Sequence, residues 1–320
     1  MDVREIPVET LNPSSFIAEK TAEIAAAVGD GLAINALSGG VDSSVVTLLA
    51  HRALGPKLKT YFIDNGLMRE GEPQQVLALF RSLGVPVELV DAQAAFFAAL
   101  KGRSDPERKR QAITDTFYKT VFGRLVRETG ARHLLHGTIY TDVEETVAGI
   151  KRQHNILAQL GIDTREAYGY TVIEPLLQLR KPAVRAVARA LGLPEEICNR
   201  PPFPGPALTA RVIGEANRRR IRLVRQATTI VERHLAGRAF QCMAILHADK
   251  VTGIRDGKRA FGHQIEVRCW DTQDAVTAAP TRLPLETLEA LADELTRQVP
   301  GVVSVTYNIT RKPPSTMEAV

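Results

Sequence analysis

Aromatic residues make up only 5% of this 320-residue chain, and it has a single tryptophan. A chain so poor in aromatics offers few stacking platforms for single-stranded nucleic acid. Its three cysteines, Cys198, Cys242 and Cys269, lie far apart and form no CxxC pair. That spacing argues against a zinc ribbon or a disulfide framework, and the three read as buried thiols. No apolar run approaches the roughly 18 residues that a membrane span needs. The opening MDVREIPVET lacks the basic-then-apolar order of a signal peptide, so a cytoplasmic protein with no membrane partner is expected. Low-complexity segments are missing too. The formal net charge of +5 is a mild basic bias, compatible with nucleic acid or with small phosphorylated substrates, and it decides nothing alone.

The chain is 44% hydrophobic, enough at this length for two cored domains. Strand-like runs alternate with helical spacing between residues 31 and 176: GLAINAL, LKTYFID (58–64), VPVELVD (85–91), HLLHGT (133–138) and TVIEPL (171–176). Val76, Leu77, Leu79, Phe80 and Leu83 carry the helical period between two of them. Repeated βαβ units predict an α/β domain with a parallel sheet, Rossmann-like, whose ligands sit beyond the carboxyl ends of the strands. Ser38, Asp64 and Gly137 fall at or just past such ends.

The run SGGVDSS, Ser38 to Ser44, joins the first strand to a helix. A glycine-rich turn at a helix start points backbone N–H groups at an anion, although the same pattern also serves as a plain corner. It lacks the Lys-Ser/Thr pair of a Walker A loop, which argues against phosphoryl transfer built on that lysine. Asp64 and Asn65, at the next strand end, could reach a ribose hydroxyl or simply cap a turn. Thr141 to Tyr170 has weak periodicity and suits a lid over the rim. PPFPGP, Pro201 to Pro206, breaks a helix and marks a junction. The expected division is therefore 1–206, with a lid at about 141–170, and a smaller α+β domain at 207–320. The latter reads as a basic helix from Gly214 to Ala236, strands in FQCMAILHA, HQIEVRCW and VVSVTYNIT, and a helix from Pro284 to Gln298. The arginine run from Asn217 to Arg225 is either a solvated helix face or a nucleic-acid groove; with little aromatic interleaving, nucleic acid is not expected.

SGGxDS is similar to the pyrophosphate loop of ATP pyrophosphatases. With SDPERKRQAITDTFYKTVF (104–122), HGTIYTDVEET (136–146), IKRQHN (150–155), VIEPL (172–176), RPPFPGPAL (200–208) and ITRKPPSTME (309–318), the chain resembles the ATP pyrophosphatase and dimerisation domains of GMP synthetase. The resemblance implies an adenylating ligase: ATP adenylates the C2 oxygen of XMP with release of pyrophosphate, and ammonia then displaces AMP to give GMP. It implies ATP on Ser38, Gly39, Gly40, Asp42, Ser43, Ser44, Asp64, Asn65 and Gly137, with Mg²⁺ on Asp42. Asp42, Ser43 and Lys181 are the candidate catalytic residues. Arg200, Pro204, Gly205 and Pro206 would border the purine nucleotide, while Lys312, Thr316 and Glu318 would hold its ribose phosphate. A homodimer is implied as well. No glutamine amidotransferase domain is recognisable, so ammonia is expected from solution or a separate amidotransferase subunit.

The acceptor end departs from the family. Lys151, His154 and Asn155 of the lid remain, but its second histidine, double glycine and later lysines do not. Thr141 and Pro202 replace a usual proline and histidine, and Ala319 and Val320 replace a terminal Trp-Glu. These changes leave open a paralogue adenylating another acceptor or an ATP binder without turnover, and the basic helix from Asn217 to Arg225 leaves open a tRNA-modifying relative.

Overall fold

The computed structural model describes residues 3–147, 170–200, 203–255, 257–272 and 277–320. Two compact units emerge. The first comprises Met1–Asp64, Pro73–Asp91 and Phe117–Arg200; the second comprises Asn65–Glu72, Ala92–Thr116 and Pro201–Val320. The long C-terminal stretch of the second unit begins at Pro201. Two stretches embedded in the N-terminal sequence nevertheless group with the second unit. Lys151, His154, Asn155 and most of the expected lid, like Pro202, lie outside the described residues.

The first unit is a five-stranded sheet in the order β3-β2-β1-β4-β5, parallel throughout: β1 (Ala33–Ala36), β2 (Leu58–Asp64), β3 (Glu88–Asp91), β4 (His133–Leu135) and β5 (Thr171–Ile173). Its helices are α1 (Pro13–Val28), α2 (Val41–Leu54), α3 (Glu72–Ser82), α6 (Gly123–Thr129), α7 (Tyr140–Val147), α8 (Lys181–Ala190) and α9 (Glu195–Cys198). β1 is central and enclosed, so its residues are small or apolar apart from the buried Asn35; Ala33 and Ile34 have no exposed surface. α1 starts where Asn12 accepts a bond from the Ser15 amide at 3.0 Å and Pro13 opens the first turn. Its buried Phe16, Ile17, Ile24 and Val28 recur at helical spacing. Strand order runs outward from β1 through β2 to β3, then restarts at β4 on the other side. The sheet therefore has its switch point between β1 and β4, where a crevice opens at the carboxyl ends.

The second unit gathers α4 (Gln93–Leu100), α5 (Pro106–Asp115), α10 (Arg218–His234) and α11 (Leu285–Gln298) with β6 (Gln241–Arg255), β7 (Lys258–Asp271), β8 (Ala279–Pro280) and β9 (Val302–Tyr307). β7 pairs antiparallel with β6 and β8 and parallel with β9. α10 buries Ile221, Val224, Ala227, Thr228 and Val231 along one stripe. Met243, Ile245, Trp270 and Ala278 form a core against which Ile213, Met317 and Ala319 pack.

β6 and β7 run well past the predicted strands, to Arg255 and back from Lys258. The added stretch, DKVTGIR and KRAFG, is charged and glycine-bearing, so hydrophobic alternation fails there. Backbone pairing and a close approach to β9 carry it instead. A Cβ at Gly253 would lie 2.7 Å from Val303 Cβ, and one at Gly262 would meet the Val303 methyls. The hairpin also revises the reading of the cysteines. Cys242 and Cys269 are directly opposed across β6 and β7, and Cys242 is only partly buried.

Candidate functional site

In the first unit the loop after β1 is built for a tight turn. Gly39 has φ +81°, a left-handed backbone natural to glycine, and Gly40 is the N-cap of α2. The Ser38 and Ser43 hydroxyls face each other at 2.9 Å, and Ser43 Oγ also donates to Gly40 O at 3.0 Å. Asn35 Nδ2 donates to Thr47 Oγ1 at 2.6 Å, and Thr47 Oγ1 donates to Ser43 O at 2.7 Å, tying the strand to the helix beneath the loop. Arg200 fixes the outer side by donating to Gly39 O at 3.0 Å. Ser44 is fully buried, and its hydroxyl has no hydrogen-bond partner.

Asp42 and Lys181 meet although 139 residues separate them: Lys181 Nζ donates to Asp42 Oδ2. The other carboxylate oxygen, Oδ1, is buried without a hydrogen-bond partner. Burial raises the Asp42 pKa, and the Lys181 ammonium opposes that rise. β4 brings Gly137 onto the same turn, where an added Cβ would sit 3.3 Å from Ser43 N and 3.4 Å from Asp42 Cβ. Ser38, Gly39, Gly40, Asp42, Ser43, Gly137, Lys181 and Arg200 thus converge at the switch point. Asp64 ends the neighbouring strand β2, in register with Asp91.

Behind Gly137 runs a polar chain that sequence reading did not find. Thr138 Oγ1 donates to Glu174, and His136 Nδ1 lies 2.9 Å from Thr138 Oγ1. A hydroxyl has one proton, and Thr138 gives it to Glu174, so His136 Nδ1 carries the proton shared with Thr138. Burial holds the imidazole pKa down to about 4 and pushes the Glu174 carboxyl up. His136 is therefore neutral in the folded protein at pH values where the unfolded chain already binds a proton. Its contribution to stability is complete above pH 6.5 and is lost as pH falls towards 4, by at most about 3 kcal/mol. Urea unfolding between pH 7.5 and 4.5 is expected to show a shallower acid loss in His136→Asn than in the parent; equal slopes would refute the assignment.

In the second unit, Asn65 Oδ1 accepts from the Leu67 amide at 2.9 Å, so this side chain caps a turn. Pro204, Gly205 and Pro206 lead into Ala207, which has φ +53°. The Ala207 amide closes onto Pro204 O at 2.8 Å, and the Leu208 amide reaches Leu67 O at 3.0 Å. The C-terminal tail is fastened to the sheet. Lys312 pairs with Ala278 through both backbone groups, Arg268 Nη1 donates to Thr316 O at 2.9 Å, and Trp270 Nε1 donates to Met317 O at 3.2 Å. Gln241 Nε2 reaches Glu318 Oε1 at 3.3 Å.

Two buried cations in this unit escaped the sequence reading. Arg211 is fully buried over the Phe203 ring, 3.5 Å from Glu318 Oε2 and 3.8 Å from Glu232 Oε1, and none of its three nitrogens makes a hydrogen bond. Lys109 donates to three carbonyls, those of Thr209, Val212 and Gly214, at 3.3, 2.6 and 3.1 Å. Burial lowers the Lys109 pKa to about 8, leaving the ammonium charged at neutral pH. The basic helix is also partly spoken for. Arg220 serves the carbonyls of Glu215, Ile213 and His247, and Arg225 those of Met68 and Gly66. Guanidinium groups so engaged are withdrawn from a phosphate backbone.

Residues 15–208 match the NAD synthase family, and residues 228–319 match the GMP synthase C terminal domain. The chain is 44% identical over 309 residues to the B subunit of the glutamine-hydrolyzing GMP synthase of Archaeoglobus fulgidus, covering 96% of this chain and 99% of that protein. The chain belongs to the family of GMP synthase B subunits. A second member, from Pyrococcus furiosus, is 45% identical over 307 residues, covering 95% of this chain and 96% of the relative. The glutamine-hydrolyzing GMP synthase of Aeropyrum pernix is 41% identical over 319 residues, which span 97% of this chain but 61% of that longer protein. Membership in this GMP synthase family makes the chain an enzyme of the ligase class. It also accounts for the order of the two units, an NAD synthase-like parallel sheet followed by the GMP synthase C-terminal module. No helix among the described residues is long and apolar enough to cross a membrane.

Proposed function

We propose that this chain uses ATP to adenylate the C2 oxygen of XMP and then lets ammonia displace AMP, giving GMP. The observation that carries the reading is the Asp42–Lys181 pair beside the Ser38–Gly40 turn. It combines two glycines, two hydroxyls, an ammonium and a helix N-terminus, the means to hold a departing diphosphate. Lys181 offsets charge that grows on the leaving oxygens, and the Ser38 and Ser43 hydroxyls turn towards them. Gly137 leaves the backbone room to come close. Asp42 fits Mg²⁺: its Oδ1 is a buried oxygen lacking a partner, and Mg²⁺ is commonly held by one or two carboxylates plus substrate phosphates. The ion would supply charge neutralisation on the phosphates.

Chemically, the C2 oxygen attacks the α-phosphorus and pyrophosphate leaves with the bonding electrons. Ammonia then adds at C2, the C–O bond breaks, and AMP leaves. This replaces a poor leaving group by a phosphate ester. On the second unit, Pro204 to Pro206, Lys312, Thr316 and Glu318 would contact the acceptor, in keeping with the fastened tail, while Arg200 belongs to the first unit, where it holds the loop at Gly39 O. Ammonia would come from a separate glutamine amidotransferase subunit, a reading supported by relatives named as the B subunit of a glutamine-hydrolysing enzyme. A homodimer is supported by Ile254 and Phe261, 79% and 66% exposed, on one face of the β6–β7 hairpin.

The test is to incubate the purified chain with ATP, Mg²⁺, an ammonium salt and XMP. Equal yields of pyrophosphate and GMP are expected. Pyrophosphate released only with another acceptor would move the reading to a paralogue, as the altered Thr141, Pro202, Ala319 and Val320 allow. No pyrophosphate with any acceptor would end it.

A further inference from the structure

Cys242 and Cys269 are 27 positions apart in sequence but occupy directly opposed positions in the antiparallel β6–β7 pair. Opposed residues in such a pair have Cα atoms about 4.5–5.5 Å apart, inside the 4.4–6.8 Å window of a disulfide. Cys242 is partly exposed, while Cys269, beside it on the same face, is 1% exposed. We propose that the pair is a reversible oxidation site, a dithiol that a low-molecular-weight disulfide converts to a cross-strand disulfide. The Cys242 thiolate attacks one sulfur of the oxidant, and one thiol of the reduced oxidant departs. The Cys269 thiol, losing its proton, then attacks the Cys242 sulfur and expels the second. Two protein thiols are oxidised and one small disulfide is reduced to two thiols.

The electrostatics agree with this order of attack. The neighbouring Cys269 thiol lowers the Cys242 pKa, and the same interaction together with burial raises that of Cys269. Cys242 is thus the nucleophile and Cys269 the resolving thiol. Cys198 lies elsewhere, in α9, fully buried, with its sulfur bonded to Leu193 O at 3.5 Å.

Closure has a mechanical consequence. A disulfide draws the two β-carbons to about 3.8 Å, closer than the 4.5–5.5 Å usual for opposed residues. Gln241, Arg268 and Trp270 adjoin the two cysteines and hold Glu318, the Thr316 carbonyl and the Met317 carbonyl of the tail. A strand shift at the cysteine pair therefore reaches the tail through bonds one residue away, and oxidation is expected to weaken acceptor binding while leaving ATP binding unchanged. This last step rests on the function proposed above; the disulfide itself does not.

The folded chain is treated with oxidised glutathione, quenched and unfolded, and its free thiols are counted while the intact mass is recorded. The expected result is a fall from three titratable thiols to one, with no retained glutathione, reversed by dithiothreitol. Cys269→Ser is expected to stop at a glutathione adduct on Cys242, because the resolving thiol is gone. Three thiols remaining, or an adduct persisting on Cys242 of the parent chain, would overturn the site. If the disulfide forms and the acceptor KM does not rise several-fold, only the coupling to the tail fails.

Discussion

The paired change Asp42→Asn with Ser43→Ala is expected to reduce pyrophosphate release by at least about 10³-fold, because each substitution removes a group aimed at the departing diphosphate. Asparagine keeps the size of Asp42 but removes the charge that meets Lys181 and that would hold Mg²⁺. Alanine at 43 removes a hydroxyl that bridges Ser38 and Gly40. Because Asp42 carries one buried oxygen without a partner, the amide is not expected to harm the fold. Pyrophosphate release measured beside the far-ultraviolet circular dichroism of the variant separates lost chemistry from lost structure. A folded variant retaining a tenth of the activity would mean that the diphosphate is held elsewhere.

Lys109→Met should produce the largest loss of stability of any single exchange considered. Lys109 is 1% exposed, and its ammonium donates to three carbonyls of the 209–214 segment. Methionine fills similar volume but leaves the Val212 and Gly214 carbonyls without their ammonium donor, at about 1–3 kcal/mol for each one that water cannot reach, while Thr209 O keeps the Val212 amide. Even partial rehydration leaves a cost of roughly 3 kcal/mol, which for a unit of this size lowers the thermal midpoint by about 6–12 °C. Differential scanning calorimetry would detect it. A change under about 2 °C would mean that water replaces the ammonium in full.

What could be read from the sequence, and what could not, divides along the range of the interactions. β1 to β5 follow from short apolar runs separated by helical spacing, most plainly in the buried β2, where a strand covered on both faces needs continuous apolar residues. The turn at Ser38–Gly40 could be read because a backbone like that of Gly39 leaves its mark locally, as glycine. Arg211, Lys109 and the chain from His136 to Glu174 could not. Their partners lie up to 107 positions away in the sequence, and an isolated arginine or lysine looks the same whether solvated or buried. The cysteines misled for the same reason: spacing rules detect CxxC pairs, whereas Cys242 and Cys269 meet only through strand register. Stretches 65–72 and 92–116 carry helix and turn signals like their neighbours, and nothing local announces that they join the second unit. The basic helix read as one charged face, yet Arg220 and Arg225 turn back to serve carbonyls, a choice that composition does not record.

Val303, Gly253 and Gly262 form a lock that evolution can open only with difficulty. The valine methyls fill the space that side chains at the two glycines would need, so enlarging either glycine alone drives an atom into β9, and trimming the valine alone leaves a gap. Three positions distant in the gene must therefore change together or stay as they are. The outer face of the hairpin, which carries Ile254 and Phe261, lies opposite that lock and answers to other constraints.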